Sequence, residues 1–207
     1  MNHLAHALLA GPDPDHRLGA FLGDHVKGRR ALAALSPGRA QGVLLHRRID
    51  AWSDRHPAVV ALRARCGPGW RRYSGVMLDV LFDAMLVRRW PVHAQQPLAA
   101  FAAGLDTLLA THRDELPPRL QRFAAWARAV DLWQRYDERA MLDEIFGRLA
   151  RRHGRQEPLA SGSRLLDTME GEIETAFDRL FPDLARRAHD FLTAGGRPGA
   201  GTTALPG

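Results

Sequence analysis

Between Gly75 and Val87 the chain reads GVMLDVLFDAMLV, apolar or small at every position except Asp79 and Asp83. A segment apolar all round at helical length is a buried helix. Elsewhere apolar residues recur three and four apart, and no run alternates as a half-buried strand does. The spacing predicts a first helix through HLAHALLA, capped by Asn2 and ended by GPDPD. A second runs through HRLGAFLGDHVKG with Gly28 as its stop. Ser36-Pro37-Gly38 starts a third, which His56-Pro57 breaks and restarts, and CGPG is a turn. A long helix follows from about Arg71 to Trp90, then QPLAAFAAGLDTLLATHRDEL, PPRLQRFAAWARAVDLWQRY and DERAMLDEIFGRLARR, and a last helix from about Ser163 to Leu192. The expected fold is all-α, a single helical domain over residues 1–192, with 193–207 a disordered tail of small and polar residues.

Two buried acids change this from a packing problem to a chemical one. Asp79 and Asp83 stand at i and i+4, on one helix face, about 5–6 Å apart at Cβ. A buried charge costs several kcal/mol unless it is paired or metal-bound. Something cationic must therefore meet them: arginines (Arg47, Arg48, Arg71 and Arg72 are candidates) or a metal ion. His46 and Asp50 repeat the i, i+4 spacing beside the apolar stripe Leu45, Ile49, Trp52. Imidazole and carboxylate on one face are a common way to hold a divalent metal, although a single such histidine also serves as a hydrogen-bonded structural residue. Asp54 and His56, a turn further on, read as cap and turn residues before Pro57. His6 interrupts the apolar face of the first helix, one turn after His3. Asp24 follows a glycine that allows close approach of backbone or ligand; His25 beside it is expected to face solvent. Mixed nitrogen and oxygen donors without cysteine suit Mn²⁺, Mg²⁺ or Fe²⁺ better than a structural zinc. Such a set suggests a helical metallohydrolase acting on phosphate esters.

Composition narrows the classes. The one cysteine, Cys66, excludes an intramolecular disulfide. No run approaches the ~18 apolar residues of a membrane span, and the N-terminus lacks a basic region before a long apolar one, so a cytoplasmic protein without membrane association is expected. The formal charge is +6, and Lys27 is the only lysine among 29 basic residues. That balance favours an acidic partner, but no dense basic tract points to nucleic acid.

The runs MNHLAHALLA, LGDHVKG, HRRIDAWSDRHP and YSGVMLDVLFDAML, in this order and spacing, resemble the acyl carrier protein phosphodiesterases. The region Trp133 to Arg152 is similar to their C-terminal half less specifically, and the likeness covers roughly residues 1–190. The resemblance implies a fold similar to the all-α HD-domain phosphohydrolases. It also implies removal of the 4'-phosphopantetheine arm from holo-acyl carrier protein, giving the apo form, with a divalent metal, usually manganese. The family's GDFVKG acid matches Asp24, its HRxID pair matches His46 and Asp50, and its DVxxDH acids match Asp79 and Asp83. Two positions depart from the pattern: Ala84 stands where the family usually has histidine, and His25 where it has an aromatic.

On this reading His46, Asp50, Asp79 and Asp83 hold the metal, and His6 is a further ligand or an acid. Asp24 binds metal or acts as general base on its water. Carrier proteins are acidic and present their serine at a helix N-terminus. Lys27, Arg47 and Arg48 are the expected phosphate and partner contacts, along with Arg29 and Arg30. Two other readings share these residues: an HD-type nucleotide phosphohydrolase, with Trp52, Trp70 or Tyr73 stacking on a base, and a carrier-protein-binding module whose metal site is weakened at Ala84.

Overall fold

A computed structural model describes residues 1–152, 154 and 158–195, and these contain twelve α-helices, two short 3-10 turns and no strand. Local chemistry starts the first half's helices. Asn2 accepts from the His3 N–H to open α1 (His3–Leu9). Asp13 accepts from the Asp15 and His16 N–H groups to open α2 (Pro14–Leu22), so GPDPD both ends one helix and begins the next. α3 (Gly28–Ala33) is short and exposed. Ser36 caps α4 (Pro37–Arg55), and His56, through its ring, caps α5 (Pro57–Arg65).

The apolar segment is α7 (Ser74–Arg88), preceded by the single turn α6 (Pro68–Arg71) and followed by α8 (Trp90–His93). Then come α9 (Leu98–Thr111), α10 (Pro118–Ala129), α11 (Arg139–Arg152) and α12 (Leu165–Thr193). α7 runs through the centre of one continuous core, with Met77, Leu81, Phe82, Met85 and Leu86 wholly buried. Each such side chain contributes roughly 1.5–3 kcal/mol of burial free energy. α12 flanks it across α4, α5 and α7, with Pro182 inside the helix and a kink at Met169.

The closest packing in the fold is α2 against α4. A Cβ on Gly19 would overlap the Arg39 carbonyl, and one on Gly42 the His16 carbonyl, so the two backbones touch where both residues are glycine. This crossing sets the height at which the end of α2 meets the middle of α4, and the site lies at that junction.

Three expected boundaries move. α2 stops at Leu22 rather than Gly28, and Gly28, at φ +78°, begins α3 instead of ending α2. The helix expected from Arg71 begins at Ser74, after a break at Arg72 and Tyr73. α10 ends at Ala129, and Asp131 takes a left-handed φ of +53°. The following turns bury Trp133, whose indole donates to Asp106 at 2.9 Å. The last helix, expected from about Ser163 to Leu192, runs Leu165–Thr193; the expected tail lies, from residue 196 on, outside the described residues. No described helix is long and apolar enough to cross a membrane.

Candidate metal centre

His6 from α1 and His46 and Asp50 from α4 converge at the base of a pocket of about 580 Å³. One donor atom from each lies within 4.8 Å of the others. The i, i+4 spacing puts Asp50 Oδ2 3.3 Å from His46 Nε2, and Asp50 Oδ1 lies 3.0 Å from His6 Nε2. The two imidazoles stack with centroids 3.9 Å apart and planes 19° off parallel. Asp24 stands at the rim, Oδ1 3.7 Å from His46 Nε2, its side chain 71% exposed.

Gly23 brings Asp24 there. A Cβ at this position would overlap the His46 ring, so only glycine lets the turn after α2 rest on the imidazole. Arg47 holds the far end of the turn, donating to the Val26 carbonyl at 2.7 Å. Arg47 therefore points into the structure, while Lys27 and Arg48 are exposed, and none of the three lines the pocket.

The electrostatics divide the two histidines. Burial pushes His6 down to about 4, helped by the charge of His46. Burial opposes a charge on His46 as well, but hydrogen-bonding and Coulombic attraction to Asp24 and Asp50 overcome it and raise His46 to about 9. The His46 partnership holds Asp24 near 2, and Asp50 lies well below the usual carboxylate range because both imidazoles outweigh its burial. Both ring nitrogens of His6, and Nδ1 of His46, are buried without a hydrogen-bond partner. A buried polar atom left unsatisfied in this way costs about 1–3 kcal/mol. His6 Nε2 faces a carboxylate at 3.0 Å without hydrogen-bonding alignment, an arrangement that a cation between them would satisfy. The set of two imidazoles and one carboxylate, with Asp24 adjacent, fits a divalent transition metal.

Asp79 and Asp83 are not brought into this group. The sequence demanded a cation for them, arginine or metal, and both have another partner. Asp79 Oδ1 accepts from the Met1 ammonium at 2.6 Å. Asp83, fully buried, accepts from the backbone N–H groups of Leu4 at 2.8 Å, Asn2 at 3.2 Å and Ala5 at 3.3 Å. Burial nevertheless raises Asp83 to about 7, against the Met1 ammonium and those three donors. α7 therefore holds α1 by its first turn, and α1 carries His6. Ala84 is buried in the core and does not line the pocket. His25 is half-buried rather than fully solvent-facing. His56 caps α5 as expected, and Asp54 pairs with Arg63 at 3.2 Å.

Several pocket residues carried no signal in the sequence. His3 lies in the wall against Phe21 and Phe123. Trp126 lines the pocket with Phe123, whereas Trp52, Trp70 and Tyr73 do not. Five arginines from α10 and α11 complete the wall: Arg119, Arg122, Arg148, Arg151 and Arg152.

Fold and site together define an all-helical protein in which two buried histidines meet a half-exposed aspartate, a group able to hold a metal ion, in a pocket of mixed polar and apolar lining. A family model described as acyl carrier protein phosphodiesterase matches residues 1–184, and the chain belongs to that family. A Serratia proteamaculans relative is 29% identical over 191 residues, covering 92% of this chain and 98% of its own. A Yersinia pestis relative is 28% identical over 189 residues, covering 91% and 97%. Both bear the name acyl carrier protein phosphodiesterase. No solved structure gives a significant match, so the likeness to HD-domain enzymes rests on the family resemblance alone.

Proposed function

We propose that this protein hydrolyses the phosphodiester joining 4'-phosphopantetheine to a serine of holo-acyl carrier protein, releasing apo-acyl carrier protein. The reading includes a divalent metal, manganese before magnesium or iron(II), held by His6, His46 and Asp50. The observation that carries it is the pair of buried imidazoles meeting Asp50 with ring nitrogens unpartnered, in a member of this family. When bound, the ion supplies positive charge to the phosphoryl oxygens and lowers the pKa of a coordinated water.

The remaining work falls to the chain. His6, neutral because it is buried, offers a lone pair without first losing a proton. His46 gives up a proton before it can do the same. Asp24, a carboxylate beside His46 and open to solvent, accepts the proton of the attacking water once His46 has lost the proton that held Asp24 low. Asp79 and Asp83 act as supports, fixing α1 and with it His6.

The test is mass spectrometry of holo-acyl carrier protein incubated with the protein and Mn²⁺, beside Asp50→Asn and Asp24→Ala controls. Loss of the phosphopantetheine mass with the wild type and not with the controls supports the reading. An unchanged mass, with metal bound, overturns the substrate and turns attention to nucleotides. An unchanged mass without bound metal leaves a carrier-protein-binding module.

A further inference from the structure

The pocket is chemically two-sided. One side is the imidazole and carboxylate group of α1, α4 and the Asp24 turn. The other is α10 and α11, which contribute five arginines and no acid to the lining. α10 contains no acidic residue at all. Arg148 lies over the Trp126 ring at 4.2 Å and reaches Glu144 only at 3.8 Å. Arg119, Arg122, Arg151 and Arg152 form no ion pair with a carboxylate among the described residues. Elsewhere some arginines are paired: Arg65, Arg88 and Arg89 face the acidic residues of α12, and Arg39 is paired with Asp15 and Glu115. Others, such as Arg29, Arg30, Arg48 and Arg72, form no ion pair among the described residues either, but they do not line the pocket. Unpaired like charges crowded on one wall repel one another, and an anionic partner relieves that cost.

We propose that the α10–α11 arginine wall is the docking face for the substrate protein, receiving the acidic surface beside its modified serine. The inference rests on the function proposed above and adds where the partner sits. Its geometric reason is the short reach of the scissile bond. The phosphorus is joined to the carrier by a single serine side chain, so a phosphodiester at the His6–His46–Asp50 group brings the carrier's own surface against the pocket rim. Among the described residues, the α10–α11 side is the pocket wall that offers positive charge without a carboxylate partner. Lys27 and Arg48, outside the pocket, are too peripheral to be the main contact, and Arg47 is spent on Val26.

The test is fluorescence anisotropy of labelled holo-acyl carrier protein titrated with the full chain without added metal, at low and at raised salt. The wild type is expected to bind more weakly as salt rises. Arg122→Glu and Arg151→Glu together are expected to weaken binding roughly tenfold or more and to flatten the salt dependence, a size typical of lost electrostatic steering. Arg128→Glu, on α10 but outside the pocket, is expected to stay near the wild type. Arg122→Lys with Arg151→Lys, which keeps the charge, is expected to retain most of the affinity. A loss in Arg128→Glu equal to that in Arg122→Glu/Arg151→Glu overturns the inference, as does wild-type binding indifferent to salt. The two proposals fail separately. Carrier protein hydrolysed by Arg122→Glu/Arg151→Glu with an unchanged KM removes the docking face and leaves the activity. Carrier protein neither bound nor hydrolysed by the wild type removes both.

Discussion

His6 and His46 stack ring on ring at 3.9 Å, yet they sit on opposite sides of neutrality, one held near 4 and the other near 9. The difference lies in their carboxylates. His46 has Asp24 and Asp50 at 3.7 Å and 3.3 Å, whereas His6 is buried with a single misaligned contact to Asp50. The metal-free pocket therefore holds one proton where an ion would bind.

That proton competes with the metal. Below pH 9 one proton leaves His46 for each ion bound, so metal affinity is expected to rise about tenfold per pH unit up to that point. Calorimetry in buffers of different ionisation enthalpy measures the release directly, and a value of zero protons at pH 7 would sink the assignment of His46. The same group links stability to pH. Its folded pKa lies above the ordinary 6.5, so its stabilisation is complete below pH 6.5 and is lost as pH rises through about 9. The loss is on the order of 3 kcal/mol. Urea denaturation of metal-free protein at pH 6 and 9.5 reads it together with a smaller loss from Asp83, which is raised to about 7. Saturating Mn²⁺ is expected to remove the His46 part of the difference, because bound His46 is neutral throughout, and to leave the Asp83 part.

Gly23→Ala tests the contact on which the site is built. The added methyl overlaps Cγ, Cδ2 and Nδ1 of His46, so either the ring or the Asp24 turn must move. Displaced supports of metal ligands typically cost 10–100-fold in affinity, and about 1–3 kcal/mol of stability is expected to go with it. Metal titration followed by thermal unfolding measures both. Wild-type affinity in the Gly23→Ala variant would show that the turn does not position His46.

Asp83 gives a prediction in which a structural role and a ligand role diverge. Asp83→Ala strands three backbone donors at the start of α1. A loss of about 3–5 kcal/mol in denaturant unfolding is expected, the range for removing one partner of a buried charged contact. His6, His46 and Asp50 remain, so saturating Mn²⁺ is expected to restore part of that stability. Retained stability combined with abolished metal binding would make Asp83 a ligand instead.

Much of this was legible in the chain. Asn2, Ser36 and His56-Pro57 mark helix starts through chemistry confined to a few residues, and α7 announced its burial by composition. The demand that Asp79 and Asp83 meet a cation was equally local; it holds for Asp79, which meets the Met1 ammonium, whereas Asp83 is met by backbone N–H groups instead. Their partners were not local, since Met1 and the first turn of α1 lie about 80 positions away. The same distance effect hid the end of α2. The pattern FLGDHVKG continues a helix, and Gly23 itself keeps helical φ/ψ; what the sequence could not show is the His46 ring packed where its Cβ would be. The arginine wall was invisible for a different reason. Arginine is scattered along the whole sequence, and only the tertiary fold separates those paired with α12 from those left facing the pocket.

Arg47 and Arg48 are adjacent and chemically identical, and they are expected to behave differently. The Arg47 guanidinium donates to the Val26 carbonyl at 2.7 Å, tying the Asp24 turn to α4; Arg48 is exposed and makes no such bond. A hydrogen bond from a charged donor contributes about 1.5–3 kcal/mol. Arg47→Ala releases that tether, so Asp24 loses its fixed distance to His46. With holo-acyl carrier protein as substrate, kcat is expected to fall about tenfold or more, while KM and its salt dependence hold, because misplacement of a reacting group acts on the chemical step. Arg48→Ala is expected to leave kcat near the wild type. Steady-state kinetics at two salt concentrations separate the cases. If Arg47→Ala instead raises KM in a salt-dependent way with kcat intact, Arg47 contacts the partner, and the inward orientation does not describe the working enzyme.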